Sequence, residues 1–260
     1  MNDPNTQQKK RLLLTNDDGV QAPGLKALED ALSPLGEVMV VAPDREMSGT
    51  SQSLTLHSPL RVRQLDERHY SVSGTPADAV ILALHRLLPE RPDLVVSGIN
   101  PGGNLGENVV YSGTVAAAME ATLHGVSGIA MSLASRQELN FSVAAAFAAQ
   151  IAAQVLAEGL PPGVMLNVNV PRGEIRGISL TRQSRKVSQN IIHEKHDPRG
   201  RPYYWQDESV DVNRVEADSD YAAILAHRIS ITPLQADRTD NPSLRLLAPW
   251  LSSLNPDGSE

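Results

Sequence analysis

Two acidic residues stand side by side in Thr15-Asn16-Asp17-Asp18-Gly19. Adjacent carboxylates repel, so the second costs more to ionise than the first. A divalent cation removes that cost, and carboxylate oxygens, carbonyls and water are the donors Mg²⁺ and Mn²⁺ prefer. The same residues are equally good turn chemistry, because Asn, Asp and Gly hydrogen-bond locally and tolerate left-handed backbone. Both readings stand at this level. Two further segments carry hard oxygen donors. Pro43-Asp44-Arg45-Glu46-Met47-Ser48-Gly49 offers the Ser48 hydroxyl, and Ser97-Gly98-Ile99-Asn100-Pro101-Gly102-Gly103 offers the Asn100 amide oxygen. Singly, each is more often a loop or capping residue than a ligand. Three such segments meeting at one place is a stronger signal.

Tyr111-Ser112-Gly113-Thr114 precedes an Ala-rich run. A helix start there presents free N–H groups and the positive end of the helix dipole, which favour a phosphate. Ser112 and Thr114 add hydroxyl donors, and Gly102, Gly103 and Gly106 allow close backbone approach. A plain N-cap is the commoner fate of Ser-Gly-Thr.

These segments need a scaffold, and the apolar pattern supplies one. Leu12–Leu14, Val38–Ala42, Leu94–Ile99, Gly128–Leu133 and Val164–Val170 read as strands. Between them lie helical stretches: Leu25, Leu28, Leu32 and Leu35 at helical spacing, Thr75 to Leu88, Thr114 to His124, and Ser142 to Glu158. Thr75-Pro76-Ala77-Asp78 is a capping box with Pro at the first helical position. Leu60–Leu65 and His69–Ser73 read as a hairpin. This alternation predicts a three-layer α/β/α arrangement, a mostly parallel sheet with helices on both faces, whose ligands sit beyond the carboxyl ends of the strands. Residues 180 to 210 read as an extended arm, Tyr221–His227 as a helix and Arg228–Thr232 as a strand. Asn241-Pro242 opens a last helix with a stripe of Leu244, Leu247, Trp250, Leu251 and Leu254. The expected division is a flexible tail over 1–10, one domain over 11–236 with its arm at 181–208, and a C-terminal helical tail over 237–260. Ile191, Ile192, Tyr203, Tyr204 and Trp205 on the arm, with the tail stripe, suit oligomerisation, since Trp and Tyr are favoured interface anchors.

Composition closes off several classes. The 260 residues include no cysteine, which removes disulfides, thiolate metal sites and cysteine nucleophiles and suits a reducing cytoplasm. A formal charge of −7 and 3% aromatic residues argue against a nucleic-acid polymer as partner. Phe141–Leu156 is Ala-rich and interrupted by Gln150 and Gln154, so it reads as a buried helix and no membrane span is expected. No apolar h-region opens the sequence, so no secretory signal is expected. There is no P-loop, no dinucleotide fingerprint and no G-x-S-x-G elbow. His193 and His196 do not form H-E-x-x-H, and Asp44 with Arg45 reads as a surface pair.

The ordered segments resemble the SurE family, the stationary-phase survival nucleotidases. They are Leu12-Leu13-Leu14-Thr15-Asn16-Asp17-Asp18-Gly19-Val20 with Ala22-Pro23-Gly24, Val41-Ala42-Pro43-Asp44-Arg45 with Ser48-Gly49, Ser73-Gly74-Thr75-Pro76-Ala77-Asp78, Ser97-Gly98-Ile99-Asn100 with Gly103-Asn104, and Tyr111-Ser112-Gly113-Thr114-Val115. Ser230-Ile231-Thr232-Pro233-Leu234 is similar too, so the resemblance covers roughly residues 11 to 236 and leaves the tail unmatched. The resemblance implies hydrolysis of nucleoside 5′-monophosphates, often 3′-monophosphates, and sometimes short polyphosphate. It implies one divalent cation per subunit, Mg²⁺ or Mn²⁺, on Asp17, Asp18, Ser48 and Asn100. It further implies a phosphate loop of Ser112, Gly113 and Thr114, with Asn16, Gly49, Gly103 and Asn104 also on the substrate, and a Rossmann-like α/β core with a protruding arm, assembled as a homodimer or homotetramer. Catalysis then falls to Asp17, Asp18 and Asn100, with Asp17 as the group that orients the attacking water. Two other readings stay open. One is a phosphatase with an aspartyl-phosphate intermediate, although those enzymes usually space their acids as D-x-D. The other is a non-enzymatic nucleotide-sensing module on the same scaffold.

Overall fold

A computed structural model of the chain describes residues 9–137 and 139–254. The expectations for residues 1–8 and 255–260 lie outside it. Strand β1 (Arg11–Thr15) leads through the two acids to helix α1 (Pro23–Leu32), then β2 (Glu37–Pro43). A hairpin of β3 (Val62–Gln64) and β4 (His69–Val72) follows, then α2 (Pro76–Leu82), β5 (Leu94–Pro101), α3 (Gly113–Leu123), β6 (Ser127–Ala134), α4 (Ser142–Glu158) and β7 (Val164–Pro171). The last third holds β8 (Ile178–Leu180), the arm strands β9 (Ser188–His196) and β10 (Pro202–Val210), α5 (Asp220–Leu225), β11 (Ile229–Gln235) and α6 (Asn241–Leu247).

Nine strands form one sheet in the order β3-β4-β2-β1-β5-β6-β7-β11-β8. It is parallel except where β3 meets β4 and β11 meets β7. Leu12 pairs with Val38 on one side and Leu94 on the other, so β1 lies in the middle. Alternate residues of β1 serve opposite faces, as the pleat demands. Leu12 and Leu14 pack with Leu25, Leu28 and Leu32 of α1 and with α4, while Leu13 packs with Ala79 and Val80 of α2 and Ala117 and Ala121 of α3. The result is the expected three-layer arrangement. The strand order reverses direction at β1, with β2 on one side and β5 on the other, and such a switch point opens a crevice at the carboxyl ends.

Local chemistry explains the ends of the elements. Thr75 Oγ1 accepts from the Asp78 N–H at 3.1 Å, and Asp78 Oδ2 accepts from the Thr75 N–H at 2.9 Å, which completes the capping box. The stretch expected as one helix to Leu88 divides: α2 ends at Leu82 and a single π turn covers Ala83–Leu87. Two features were not read from the sequence. β8 is three residues long, too short for an alternating pattern to register, and the antiparallel entry of β11 is a property of the return path. The tail stripe is half formed, because α6 stops at Leu247 and a 3₁₀ segment continues through Ala248–Ser253. Among the described residues no helix is long and apolar enough to cross a membrane.

Gly24 ties α1 to the sheet. A Cβ there would overlap the Ile99 carbonyl oxygen at the end of β5. Ala gains about 1 kcal/mol over Gly in a helix, whereas forcing atoms into a packed contact costs about 1–3 kcal/mol and more against rigid backbone. Gly24→Ala should therefore destabilise the protein in urea unfolding despite its better helix propensity. A stabilised variant would show that α1 is free to move off β5.

Candidate active site

An open cleft of about 1160 Å³ runs over the carboxyl ends of the strands. Four strand ends contribute to it: Asp17 and Asp18 after β1, Glu46, Ser48 and Gly49 after β2, Asn100, Gly103 and Asn104 at and beyond the end of β5, and Ala134 to Arg136 after β6. Ser112, directly before α3, completes that end. The three oxygen-bearing segments and the helix start thus meet in one place.

Asp17 is 3% exposed, and its Oδ1 accepts a hydrogen bond from Thr114 Oγ1 at 2.5 Å. Burial pushes its carboxyl above the usual range, while the Thr114 hydroxyl and the N–H groups at Asp17, Thr114 and Gly113 act the other way. Gly113 makes this approach possible, since a Cβ there would stand 2.8 Å from the Asp17 Cβ. Asp18 is half-buried and less well served. Its Oδ2 is buried without a hydrogen-bond partner. Burial first, then the charges of Asp17 and Glu46, raise its carboxyl to about 7.

Asn100 sits just past an irregularity in β5. The register with β6 shifts between Ser97 and Asn100, and the Gly98-Ile99 peptide is cis. Such bulges re-aim side chains. Asn100 Nδ2 donates to the Gly102 carbonyl at 2.7 Å, which fixes the amide and leaves Oδ1 as the free acceptor. Ser48 is exposed, with its hydroxyl donating to Glu46 at 3.0 Å. Ser112 caps α3 by accepting from the Val115 N–H at 3.1 Å, and its own proton remains to donate. The N-cap reading of this residue is realised.

The donor set fits a hard divalent cation. An orphaned buried carboxylate oxygen on Asp18 faces acidic neighbours, with an oriented amide oxygen and a hydroxyl on the same cleft wall. Among the described residues no three His, Asp or Glu side chains gather as a metal site, so a cation would need Asn100 and Ser48 beside the two acids.

Three candidates take places different from those expected. Asn16 is fully buried, and its amide closes the loop by donating to the Gly19 carbonyl at 3.0 Å and accepting from the Gly19 N–H at 3.2 Å. It shapes the turn and does not line the cleft. The turn reading is realised by Asn16 and Gly19, while the acid pair between them lines the cleft. Thr114 is also fully buried, and its hydroxyl is spent on Asp17 instead of facing a phosphate. Asn104 lines the cleft, but its Nδ2 donates to Ser132 Oγ at 2.9 Å. Gly49, at φ +74°, and Gly103 line the cleft as backbone. Asp44 and Arg45 form the surface pair expected, at 3.9 Å. His193 and His196 stand exposed on the arm beside Asp207 and Glu194.

Several residues of the site were not found in the sequence. Asn169 Oδ1 accepts from the Asn104 N–H at 2.8 Å, and its Nδ2 donates to the Asn104 carbonyl at 3.1 Å. Asn167 Nδ2 adds a second donor to that carbonyl at 2.8 Å. Two amides on β7 thus grip the backbone of the cleft loop. The signal was present: Asn167 and Asn169 are the polar members of Val164-Met165-Leu166-Asn167-Val168-Asn169-Val170, two residues apart and so on one face of a buried strand. Buried amides need partners. The arm also reaches the cleft, where Ser188, Asn190, Gln206 and Glu208 form part of its wall. Asn108 donates to Glu208 at 2.7 Å, and Asp220, fully buried, accepts from the N–H groups of Gly106 and Ser184 at 2.8 and 3.1 Å. No sequence spacing signals contacts between segments 36, 100 and 114 residues apart.

Known proteins resemble this chain in sequence and fold over most of its length. The family model described as Survival protein SurE matches residues 12–190. A protein named 5′-nucleotidase SurE from Geotalea daltonii is 50% identical over 245 residues, covering 92% of this chain and 98% of that protein. One of the same name from Pelobacter propionicus is 51% identical over 245 residues, covering 92% and 99%. The crystal structure of the SurE protein from Aquifex aeolicus superposes with a TM-score of 0.84 at 42% identity, covering 93% of this chain and 99% of that one.

The Thr114–Asp17 bond generates a prediction. A hydrogen bond to a charged group contributes roughly 1.5–3 kcal/mol, so Thr114→Val should lower stability in denaturant unfolding by about that amount. Thr114→Ser keeps the hydroxyl and loses one buried methyl, a cost of about 0.8 kcal/mol. Equal losses in the two variants would show that the hydroxyl does not hold Asp17.

Proposed function

The chain belongs to the SurE family, and on that premise we propose that it is a metal-dependent 5′-nucleotidase whose catalytic centre is the cleft around Asp17 and Asp18. The substrate is a nucleoside 5′-monophosphate, hydrolysed to nucleoside and inorganic phosphate. Nucleoside 3′-monophosphates and short polyphosphate belong to the same proposal, since the phosphoryl end of the cleft is the part that does the chemistry. The observation that supports this reading furthest is Asp18 Oδ2, buried with no partner beside a second carboxylate.

Asp17, Asp18, Ser48 and Asn100 would hold one divalent cation per subunit, Mg²⁺ or Mn²⁺. When bound, that cation supplies Lewis-acid polarisation of the phosphoryl group. The chain's own groups do the rest. Thr114 holds Asp17 through Oδ1, so the Asp17 carboxylate is set to orient the attacking water. The start of α3 directs N–H groups and the Ser112 hydroxyl toward charge developing on the equatorial oxygens. Asn169 and Asn167 keep the Gly103–Asn104 loop in place as the substrate enters. The P–O bond to water forms as the ester bond breaks, and one water proton ends on the nucleoside hydroxyl.

Residues 11–236 form the working domain in this reading, with the arm and the tail as assembly elements. Trp205 on β10 is 62% exposed, Trp250 is 64% and Leu251 is 71%. Large apolar groups left in water at two places fit a homodimer or homotetramer. A chain without cysteine suits the cytoplasm.

Excess chelator should abolish phosphate release from a nucleoside 5′-monophosphate. Asp18→Asn should lower turnover by about a hundredfold or more, the scale of losing one electrostatic contact to the transition state. The folded state binds the Asp18 proton more tightly than the unfolded chain does. Above the ordinary carboxylate range the ionised group therefore costs stability, and metal-free Asp18→Asn should melt no lower than the unmodified protein at neutral pH. Full turnover in chelator removes the metal from the reaction. Nucleotide binding without phosphate release makes the protein a sensing module. For assembly, light scattering at micromolar concentration should give a mass of two or four chains, and a monomer mass ends that part of the proposal.

A further inference from the structure

The cleft is unbalanced in charge. Carboxylates of Asp17, Asp18, Glu46, Glu107, Asp207 and Glu208 line it, against two cations, Arg136 and Lys186. A phosphate monoester has its second ionisation at about 6 and is largely a dianion at neutral pH. One divalent cation offsets only Asp17 and Asp18. A dianion entering beside the remaining acids needs fixed positive charge from the chain.

The two cations differ in what they already hold. Lys186 Nζ donates to Asn190 Oδ1 at 3.3 Å on the arm side. Arg136 forms no hydrogen bond or ion pair among the described residues, and the charges acting on Asp17 and Asp18 include no cation. Its placement is nonetheless defined. The Leu133 carbonyl accepts from both the Gly102 N–H at 2.9 Å and the Ser135 N–H at 2.6 Å, which ties the loop after β6 to the loop after β5. Ser135 Oγ then donates to the Gln137 carbonyl at 2.7 Å and tightens the turn that carries Arg136. The side chain lies across bare backbone: a Cβ on Gly102 would stand 3.1 Å from Arg136 Nε, 3.5 Å from its Cγ and 3.7 Å from Asn100 Nδ2. The stem of Arg136 and the Asn100 amide thus both border Gly102, and both residues line the cleft.

We propose that Arg136 is a substrate-binding residue, its guanidinium laid across Gly102 beside Asn100 to take two non-bridging oxygens of the substrate phosphate. The proposal rests on the 5′-nucleotidase reading and adds to it the chain's own contact to phosphate charge. A guanidinium matches a phosphate with two parallel N–H donors, which an ammonium cannot do. Gly102 leaves room for this placement, because a Cβ there would press on Arg136 Nε at 3.1 Å.

The test compares the unmodified protein with Arg136→Gln and Arg136→Lys. Calorimetric titration of inorganic phosphate into the Mn²⁺-loaded protein needs no turnover. Steady-state kinetics with a nucleoside 5′-monophosphate follows. Affinity for phosphate should fall about ten- to hundredfold in Arg136→Gln, the range for losing a charge-assisted contact, with KM rising by a similar factor and Arg136→Lys lying between. Mn²⁺ affinity and melting temperature should not move, since Arg136 holds nothing else in place. Phosphate affinity within twofold of the unmodified protein, no measurable phosphate binding by the unmodified protein, or a parallel loss of Mn²⁺ affinity or melting temperature overturns the proposal. If phosphate binding depends on Arg136 but no nucleotide is hydrolysed, the binding role stands and the nucleotidase reading falls.

Discussion

Two neighbouring carboxylates, one buried and one half-buried, stand at the end of the central strand, and much of the surrounding structure answers that constraint. Asp17 is served from the chain: a hydroxyl and the start of a buried helix are aimed at it. Asp18 is not, and its free oxygen faces acidic company. Left alone, such a pair would protonate or drag its loop toward solvent. The loop cannot move, because Asn16 closes it against Gly19 and the Asp17 carbonyl accepts the Met47 N–H at 2.7 Å. Charge repulsion in a fixed frame is what suits this position to the proposed cation.

The frame is built from contacts that tolerate no extra atoms. Gly24 lets α1 lie on β5, and Gly113 lets α3 reach Asp17. The two β7 amides do comparable work with polar groups, gripping Asn104 by its N–H and carbonyl as a neighbouring strand would. In the low dielectric of the sheet's end these bonds are strong when made and costly when missing, so the cleft loop has one place to sit. A binding site whose polar groups must meet a small dianion benefits from that rigidity, because each misplaced donor loses strength steeply with angle and distance.

The arm combines a stretch of cleft wall with an exposed apolar surface. Its strands line the cleft near their base, through Ser188, Asn190, Gln206 and Glu208, and carry exposed Ile192, Tyr204 and Trp205 further out. The outer strand pair has no hydrophobic core of its own, and a lone two-stranded hairpin is marginal in water. Anything that packs on its outer part would also steady the wall of the cleft.

Much of this was legible from residue order alone. Apolar runs of strand length, capped helices between them and acids at the first strand's end dictated a parallel sheet with its site at the carboxyl edge, because burial periodicity and capping are local effects. The Asp17-Asp18 pair, Ser48, Asn100 and Ser112 could be named for the same reason: their chemistry is carried by residue type beside a strand or helix end. What the residue order could not decide was which partner each polar group would take. Thr114 turned inward to Asp17, Asn16 folded onto its own loop, Asn169 reached back 65 residues to Asn104, and Arg136 came to rest on Gly102. Those choices depend on distances between segments far apart in the chain. Only packing the sheet and its loops into one volume determines them.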